Sequence, residues 1–314
     1  MSEGMSLSGA SEEMWVGFGA VVLGAIALDL GVLHRKARRI GMVAALAESA
    51  GWIGLALGFD GWVYVSLGHR AGLEFFAGYV VEKSLSIDNI FVFLLIFQGL
   101  GVPAHLQHKV LYYGVAGAVV MRGIFVFGGV ALLNHFHWVL YLFGAILLVT
   151  AGRMLFTAEP EIDAEHHWLL SGVRRFMRVT PEYEGGKFFL RRSGRWNATP
   201  LLVALVAVEV ADIVFAVDSV PAVLAVTRDA FIAFSSNVFA ILGLRALYFA
   251  LADLLPRFRF LRPGLAAILM FAGIKILAND RLPMSVGLSL GVIVTIVAVM
   301  IAASLLWPGK KGQV

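Results

Sequence analysis

Long apolar runs separated by short polar clusters set the pattern of this chain. A run of about 20 apolar residues crosses about 30 Å of hydrocarbon as a helix, with its backbone hydrogen bonds made internally. Nine such runs are present: Met14–Leu33, Val43–Ser66, Leu73–Phe97, Val110–Leu132, Trp138–Phe156, Thr199–Val226, Phe231–Leu254, Gly264–Leu277 and Met284–Leu306. The eighth is short. One long polar segment, Thr157–Ala198, divides the fifth run from the sixth. Within it Trp168, Leu169, Val173, Phe176 and Met177 recur at helical spacing, which predicts an amphipathic helix lying on the inner leaflet. A sensing loop using His166 and His167 is the alternative, weakened because adjacent side chains do not share a helical face. The pattern predicts an all-α polytopic membrane protein: one transmembrane domain over residues 1–314, with a cytoplasmic loop at 157–198.

Composition narrows the classes. Hydrophobic residues make up 60% of the chain and charged residues 15%, against about 25% charged in ordinary soluble domains. A soluble enzyme, a disordered chain and a fibrous protein are thereby excluded. There is no cysteine, so disulfides, thiolate metal sites and thiol nucleophiles are excluded as well. The segment before the first run carries Glu3, Glu12 and Glu13, where a signal peptide needs basic residues. Of the 25 Lys and Arg, seventeen fall on one side of the nine-span arrangement, three on the other and five inside spans. The basic side is cytoplasmic by the positive-inside rule, which predicts an inner-membrane protein with its N-terminus outside and its C-terminus in the cytoplasm. The net charge of +4 is too small to suggest a nucleic-acid partner.

Charge inside the spans carries the chemistry. Asp29, Glu48, Asp60, Glu74 and Asp253 sit toward span ends and read as interfacial. Glu82 and Asp88 lie in the middle of the third span, and Glu209, Asp212 and Asp218 in the middle of the sixth. Intramembrane carboxylates are costly and mark functional sites. Ion pairs with Lys83, Arg122 and Arg245 would account for three of the five acids as packing devices. The surplus negative charge calls for a divalent cation or for protons. The two segments also repeat. Glu82 and Asp88 are six apart and precede Asn89; Asp212 and Asp218 are six apart and precede Ser219. An intramembrane arginine follows each one span later, Arg122 and Arg245. The two spans run in opposite directions, so the repeat is inverted, three spans plus three, an arrangement found in secondary transporters. This places Glu82 level with Asp218, and Asp88 level with Asp212 and Glu209. On an unbroken helix residues six apart differ by about 120°, so convergence needs local unwinding, for which Ser84, Ser86 and Pro221 are suited. Carboxylate and amide oxygens select a hard cation, Mn²⁺, Mg²⁺ or Ca²⁺. Copper and a tetrahedral structural zinc are disfavoured, since Cys is absent and all eight His lie in loops or at span ends. Asn237 is either a further ligand or an interhelical hydrogen-bonding group.

The segments Glu82-Lys83-Ser84-Leu85-Ser86-Ile87-Asp88-Asn89, Asp212 through Ala222 and Ser236 through Arg245 resemble those of the TerC family of integral membrane proteins. Asp29-Leu30-Gly31-Val32-Leu33-His34-Arg35-Lys36 is similar to the opening segment of that family's longer, alkaline-inducible branch. The resemblance implies three-plus-three organisation and export of Mn²⁺ from the cytoplasm, in some members supplying metal to exported enzymes. It maps the family's acidic residues onto Glu82, Asp88, Asp212 and Asp218, with Glu209 and Arg245 beside them.

The expected function is therefore that of an exporter of divalent metal, Mn²⁺ as substrate, with Glu82, Asp88, Asn89, Glu209, Asp212, Asp218 and Asn237 as ligands and Lys83, Arg122 and Arg245 as supporting charge. Protons are the expected exchange partner, lipids the surroundings, and no organic cofactor is implied. The alternative is a non-transporting scaffold for tellurite or metal-stress resistance, or for metal delivery, meeting protein partners at the 157–198 loop. An enzyme is not expected: neither Gly-x-Gly-Asp nor His-Glu-x-x-His is present, and only the paired Asp residues would suit a protease.

Overall fold

The computed structural model describes residues 9–28, 42–136, 138–156, 179–180, 183, 185–192, 195–251, 260–278 and 284–307; for residues 28, 88, 192, 195 and 262 it describes the backbone alone. Its helices are α1 Glu12–Leu28, α2 Met42–Leu67, α3 His69–Gly99, α4 Ala104–His135, α5 Val139–Phe156, α6 Pro200–Leu224, α7 Ala230–Leu242, α8 Leu244–Leu251, α9 Leu261–Ala278 and α10 Val286–Leu306. The punctuation is local. Gly68, at φ 90°, separates α2 from α3, a conformation that a side chain would strain. After α3, Gly101 at φ 62° turns the chain while Val102 N–H returns to Phe97 O at 2.8 Å, and Pro103 prevents continuation. Thr199 followed by Pro200 opens α6. The Asp229 carboxylate caps α7, accepting from Phe231 and Ile232 N–H.

Helices coincide with all nine expected runs, yet five of them, α2, α4, α5, α6 and α10, are long and apolar enough to cross a membrane. A sixth is added if α7 and α8, bent by 40°, form one span. The others fall short for visible reasons. α1 has 17 residues, the apolar part of α9 starts only at Pro263, and Arg70, Glu74, Glu82, Lys83 and Asp88 run through α3. Large apolar side chains face outward, among them Val43, Val65, Val120, Ile124 and Leu305. That outside suits lipid.

α3 packs on α6 and α7, α4 on α6 and α7, and α5 on α9; α2 covers α3 and α8, and α10 lies along α3 and α9. The α5–α9 crossing is a backbone contact. A Cβ on Gly273 would stand 3.0 Å from Gly144 O, and one on Gly144 would stand 3.3 Å from Gly273 O. Such close approach, unlike hydrophobic burial, holds helices together in lipid. A second core gathers Phe18, Phe59, Phe75, Phe231 and Phe239 between α1, α2, α3 and α7.

One feature is added and one expectation is corrected. The loop at 157–198 contains a hairpin, β1 Phe189–Arg192 antiparallel to β2 Arg195–Ala198, with Phe189 opposite Ala198. The correction concerns unwinding. α3 and α6 run unbroken past their acids. The Ser84 hydroxyl donates to Val80 O at 2.7 Å within the helix, and Pro221 removes one amide donor from Val217 O without interrupting α6, which continues to Leu224. The break lies elsewhere, at Gly243. The opening segment Asp29–Lys36, His166–His167, the amphipathic stretch Trp168–Met177 and Asp253 are outside the described residues.

Candidate functional site

Four helices meet at one arginine. Arg122, on α4, is fully buried. Its Nη1 donates to Glu82 Oε1 of α3 at 2.5 Å, to Ser219 Oγ of α6 at 2.7 Å and to Asn237 Oδ1 of α7 at 2.9 Å. Its Nη2 reaches Asp212 Oδ1 of α6 at 3.4 Å. Glu82 and Asn237 are 0% exposed and Asp212 is 3% exposed, so the cluster is sealed. An arginine in such a place needs paired carboxylates, and they need it. Two acids against one guanidinium leave the triad with one formal negative charge in excess.

Its hydrogen bonding is incomplete. Glu82 Oε2, Asp212 Oδ2, Asn237 Nδ2 and Arg122 Nε are buried with no partner among the described residues, as is Ser86 Oγ. Ser86 stands one turn after Glu82, on the same helical face. Two carboxylate oxygens and a hydroxyl are thus each left unspent in this interior, groups of the hard-oxygen type that take up a proton or a divalent cation. Among the described residues no group of three or more His, Asp or Glu converges.

Helical rotation decides which expected residues join. Asp212 and Ser219 are seven apart, about 20° from alignment, so both face Arg122. Asp218, six on, is turned away by about 120° and accepts a hydrogen bond from Thr150 Oγ1 of α5 at 2.8 Å. The pairing expected of Glu82 with Asp218 is therefore replaced by Glu82 with Asp212, the equivalent positions of the two repeated segments. Asp88 lies in α3, and its side chain is outside the described residues. With Glu82 and Asp212 joined, Asp88 and Asp218 lie along their own helices about 9 Å in opposite directions from the middle. Asn89 is buried on α3 without bonding Arg122. Glu209 precedes Asp212 by three residues and lies against α4 at Gly117, where any Cβ would overlap its carboxyl group.

The other basic residues serve separate ends. Lys83 Nζ donates to Ala240 O at 3.2 Å, a carbonyl in the last turn of α7 that a continuing helix would have used. It lies close enough to Gly243 that a Cβ there would stand 2.8 Å from the ammonium. Arg245 Nη2 donates to Glu48 Oε1 of α2 at 2.8 Å. Glu48 and Glu74, expected at the interface, are instead enclosed by protein: Glu74 is 8% exposed and accepts from Thr227 Oγ1 at 2.6 Å and Arg70 Nε at 2.8 Å. Ser86 and Glu48 were overlooked as partners; their signal was spacing, Ser86 at i+4 from Glu82, and the need of Arg245 for an acid.

A family model described as integral membrane protein TerC family matches residues 67–312. The chain is 46% identical to an uncharacterized membrane protein, STKORF319, of Myxococcus xanthus, over 94% of this chain and 93% of that one. It is 44% identical to a protein of Escherichia coli strain K12 named "Putative membrane-bound redox modulator Alx", over 89% and 90% of the two chains. It is 37% identical to an uncharacterized membrane protein of Rickettsia bellii, over 93% and 97%. No solved structure matches.

Proposed function

The chain belongs to the TerC family of integral membrane proteins, and from that premise we propose that it exports a divalent metal cation, Mn²⁺, across the inner membrane. One observation carries the proposal: Glu82 and Asp212, from the two repeated segments, meet on Arg122 in a sealed interior, each with one carboxylate oxygen unspent. In this reading Arg122 is a resident counter-cation. It holds the acids when no metal is bound and cedes their oxygens when metal arrives. Ser86 and Asn237 complete the oxygen set. Asp218 and Asp88, displaced toward opposite faces, are stations on the way in and out, and Glu209 adds charge beside Asp212. Protons returning to the same carboxylates balance the exchange. Neither an organic cofactor nor covalent chemistry takes part.

The three-plus-three organisation is part of the proposal. It is supported by the packing: exchanging α3 with α6, α4 with the α7–α8 pair and α5 with α9 turns the α3–α7 contact into α6–α4 and the α5–α6 contact into α9–α3, both present. Nine spans, an outer N-terminus and an inner C-terminus follow from the distribution of Lys and Arg.

The test is flux in proteoliposomes loaded with Mn²⁺, Mg²⁺ or Ca²⁺ under a pH gradient. Mn²⁺ flux is expected from the native chain, and its loss in Glu82→Gln, Asp212→Asn, Asp88→Asn and Asp218→Asn variants that still reach the membrane. Unchanged flux in Glu82→Gln and Asp212→Asn overturns the site.

A second reading, a non-transporting scaffold, is favoured by the ion pairs Arg122 already makes with both acids, which hold the helices together without a metal. Deleting the 157–198 loop separates the two, since a scaffold would lose its function and a transport core would not. A redox role through thiols is closed to this chain, which has no cysteine.

A further inference from the structure

The end of the bundle where α2 meets α3 and α6 meets α7 opens into a cavity of about 600 Å³. It is separate from the Arg122 cluster. Glu74 on its wall precedes Glu82 by eight residues, about 12 Å along α3, and Gly78 closes the interval, packed so tightly that a Cβ would stand 2.8 Å from Ser236 Oγ.

Donors outnumber acceptors in this cavity. Three cations line it, Arg70, Arg228 and Lys275, with two acids, Glu74 and Asp229. Both acids are spent. Glu74 accepts from Arg70 and Thr227; Asp229 accepts from Phe231 and Ile232 N–H through Oδ1 and from Gly9 N–H through Oδ2 at 2.6 Å. Lys275, from α9, is only 9% exposed and lies in the field of Glu74, yet among the described residues its ammonium makes no hydrogen bond or close ion pair and is left to face the cavity. An ammonium carries three donors and no acceptor, and burying one unpaired is costly unless something pairs with it. Arg228 stands exposed at the rim. A cation would be repelled here. A ligand rich in acceptor oxygens would use Lys275 at the floor and the guanidinium groups above it. Leu140, Leu224 and Met284 supply apolar wall.

We propose that this cavity binds a phosphate group through Lys275, with Arg228 and Arg70 at the rim. The group is either that of an anionic phospholipid, whose chains would lie on the apolar wall, or free inorganic phosphate. The inference stands apart from metal transport, because none of these residues belongs to the Arg122 cluster.

Two probes distinguish the sources. Inorganic phosphate is titrated into the purified full chain and followed by phosphorus NMR line broadening. Native mass spectrometry counts phosphatidylglycerol retained after release from phosphatidylcholine nanodiscs containing it. Saturable phosphate binding indicates the free ion, and one retained phosphatidylglycerol indicates the lipid. In either case Lys275→Met weakens binding by about tenfold or more, as loss of a charged hydrogen bond does, whereas Lys275→Arg retains it and Lys187→Gln, an exposed control, changes nothing. Lys275→Met keeps the length of the apolar stem and removes a charge that makes no hydrogen bond, so misfolding is not the expected result. If it does misfold, Arg228→Gln reads the same outcome at the rim, with a smaller loss. Absence of both kinds of binding in the native chain, or binding that Lys275→Met and Arg228→Gln leave intact, overturns the proposal.

Discussion

Arg122 is the residue on which most depends. Truncating it would leave Glu82 and Asp212 buried without a counter-charge, a change that costs about 3–5 kcal/mol in other buried pairs. Arg122→Ala is expected to lower the unfolding midpoint of the detergent-purified chain sharply. Arg122→Ala combined with Glu82→Gln and Asp212→Asn should recover much of the loss, because no buried charge then lacks a partner. A triple variant as unstable as the single one would contradict this. Ser219→Ala removes one acceptor among several and should cost about 1 kcal/mol. These residues were unequally legible. Glu82, Arg122, Asp212 and Asn237 stood out because polar groups are scarce in apolar runs. Ser86 did not, since a hydroxyl in a membrane helix is ordinary until a neighbour gives it meaning. Asp218 was assigned to the cluster on the assumption of unwinding, and with α6 continuous its rotation carries it to Thr150.

At the scale of elements, helix ends and helix contacts govern. Asp229 caps α7 and also holds Gly9 N–H. Asp229→Ala should cost about 1–2 kcal/mol, measurable as faster hydrogen exchange at Phe231 and Ile232 with α10 unaffected. The α5–α9 contact is stricter. Gly144→Leu or Gly273→Leu forces backbones apart and should destabilise by about 1–3 kcal/mol or more, while Gly128→Ala, with nothing within 4 Å of the new Cβ, should be silent in the same thermal assay. The helices were readable because apolar runs of membrane length have few alternatives. The hairpin was not: four-residue strands in a polar loop carry no long alternation. Nor was the break at Gly243, since one glycine in an apolar run looks like many others. Only the carbonyl that Lys83 serves distinguishes it.

For the whole molecule, the absence of cysteine is useful. Single cysteines at Arg228 and Ala225, which line the cavity and are exposed and half-buried, should react with a membrane-impermeant thiol reagent, and one at buried Ser236, behind Gly78, should be protected. Equal labelling of all three would show that the barrier does not exist. The Arg122 triad also has an electrical consequence. Empty, it carries one negative charge; with a divalent metal or with two protons it carries one positive charge. Moving a unit charge through 100 mV is worth about 2.3 kcal/mol. If the site alternates between the two faces as proposed, then across a membrane negative inside the loaded site would travel outward uphill, and an empty site returning inward would travel uphill again. A return with two protons would run downhill by the same amount, so on the proposed exchange the potential would cancel over the cycle, leaving the pH gradient and the metal's own gradient to set the direction.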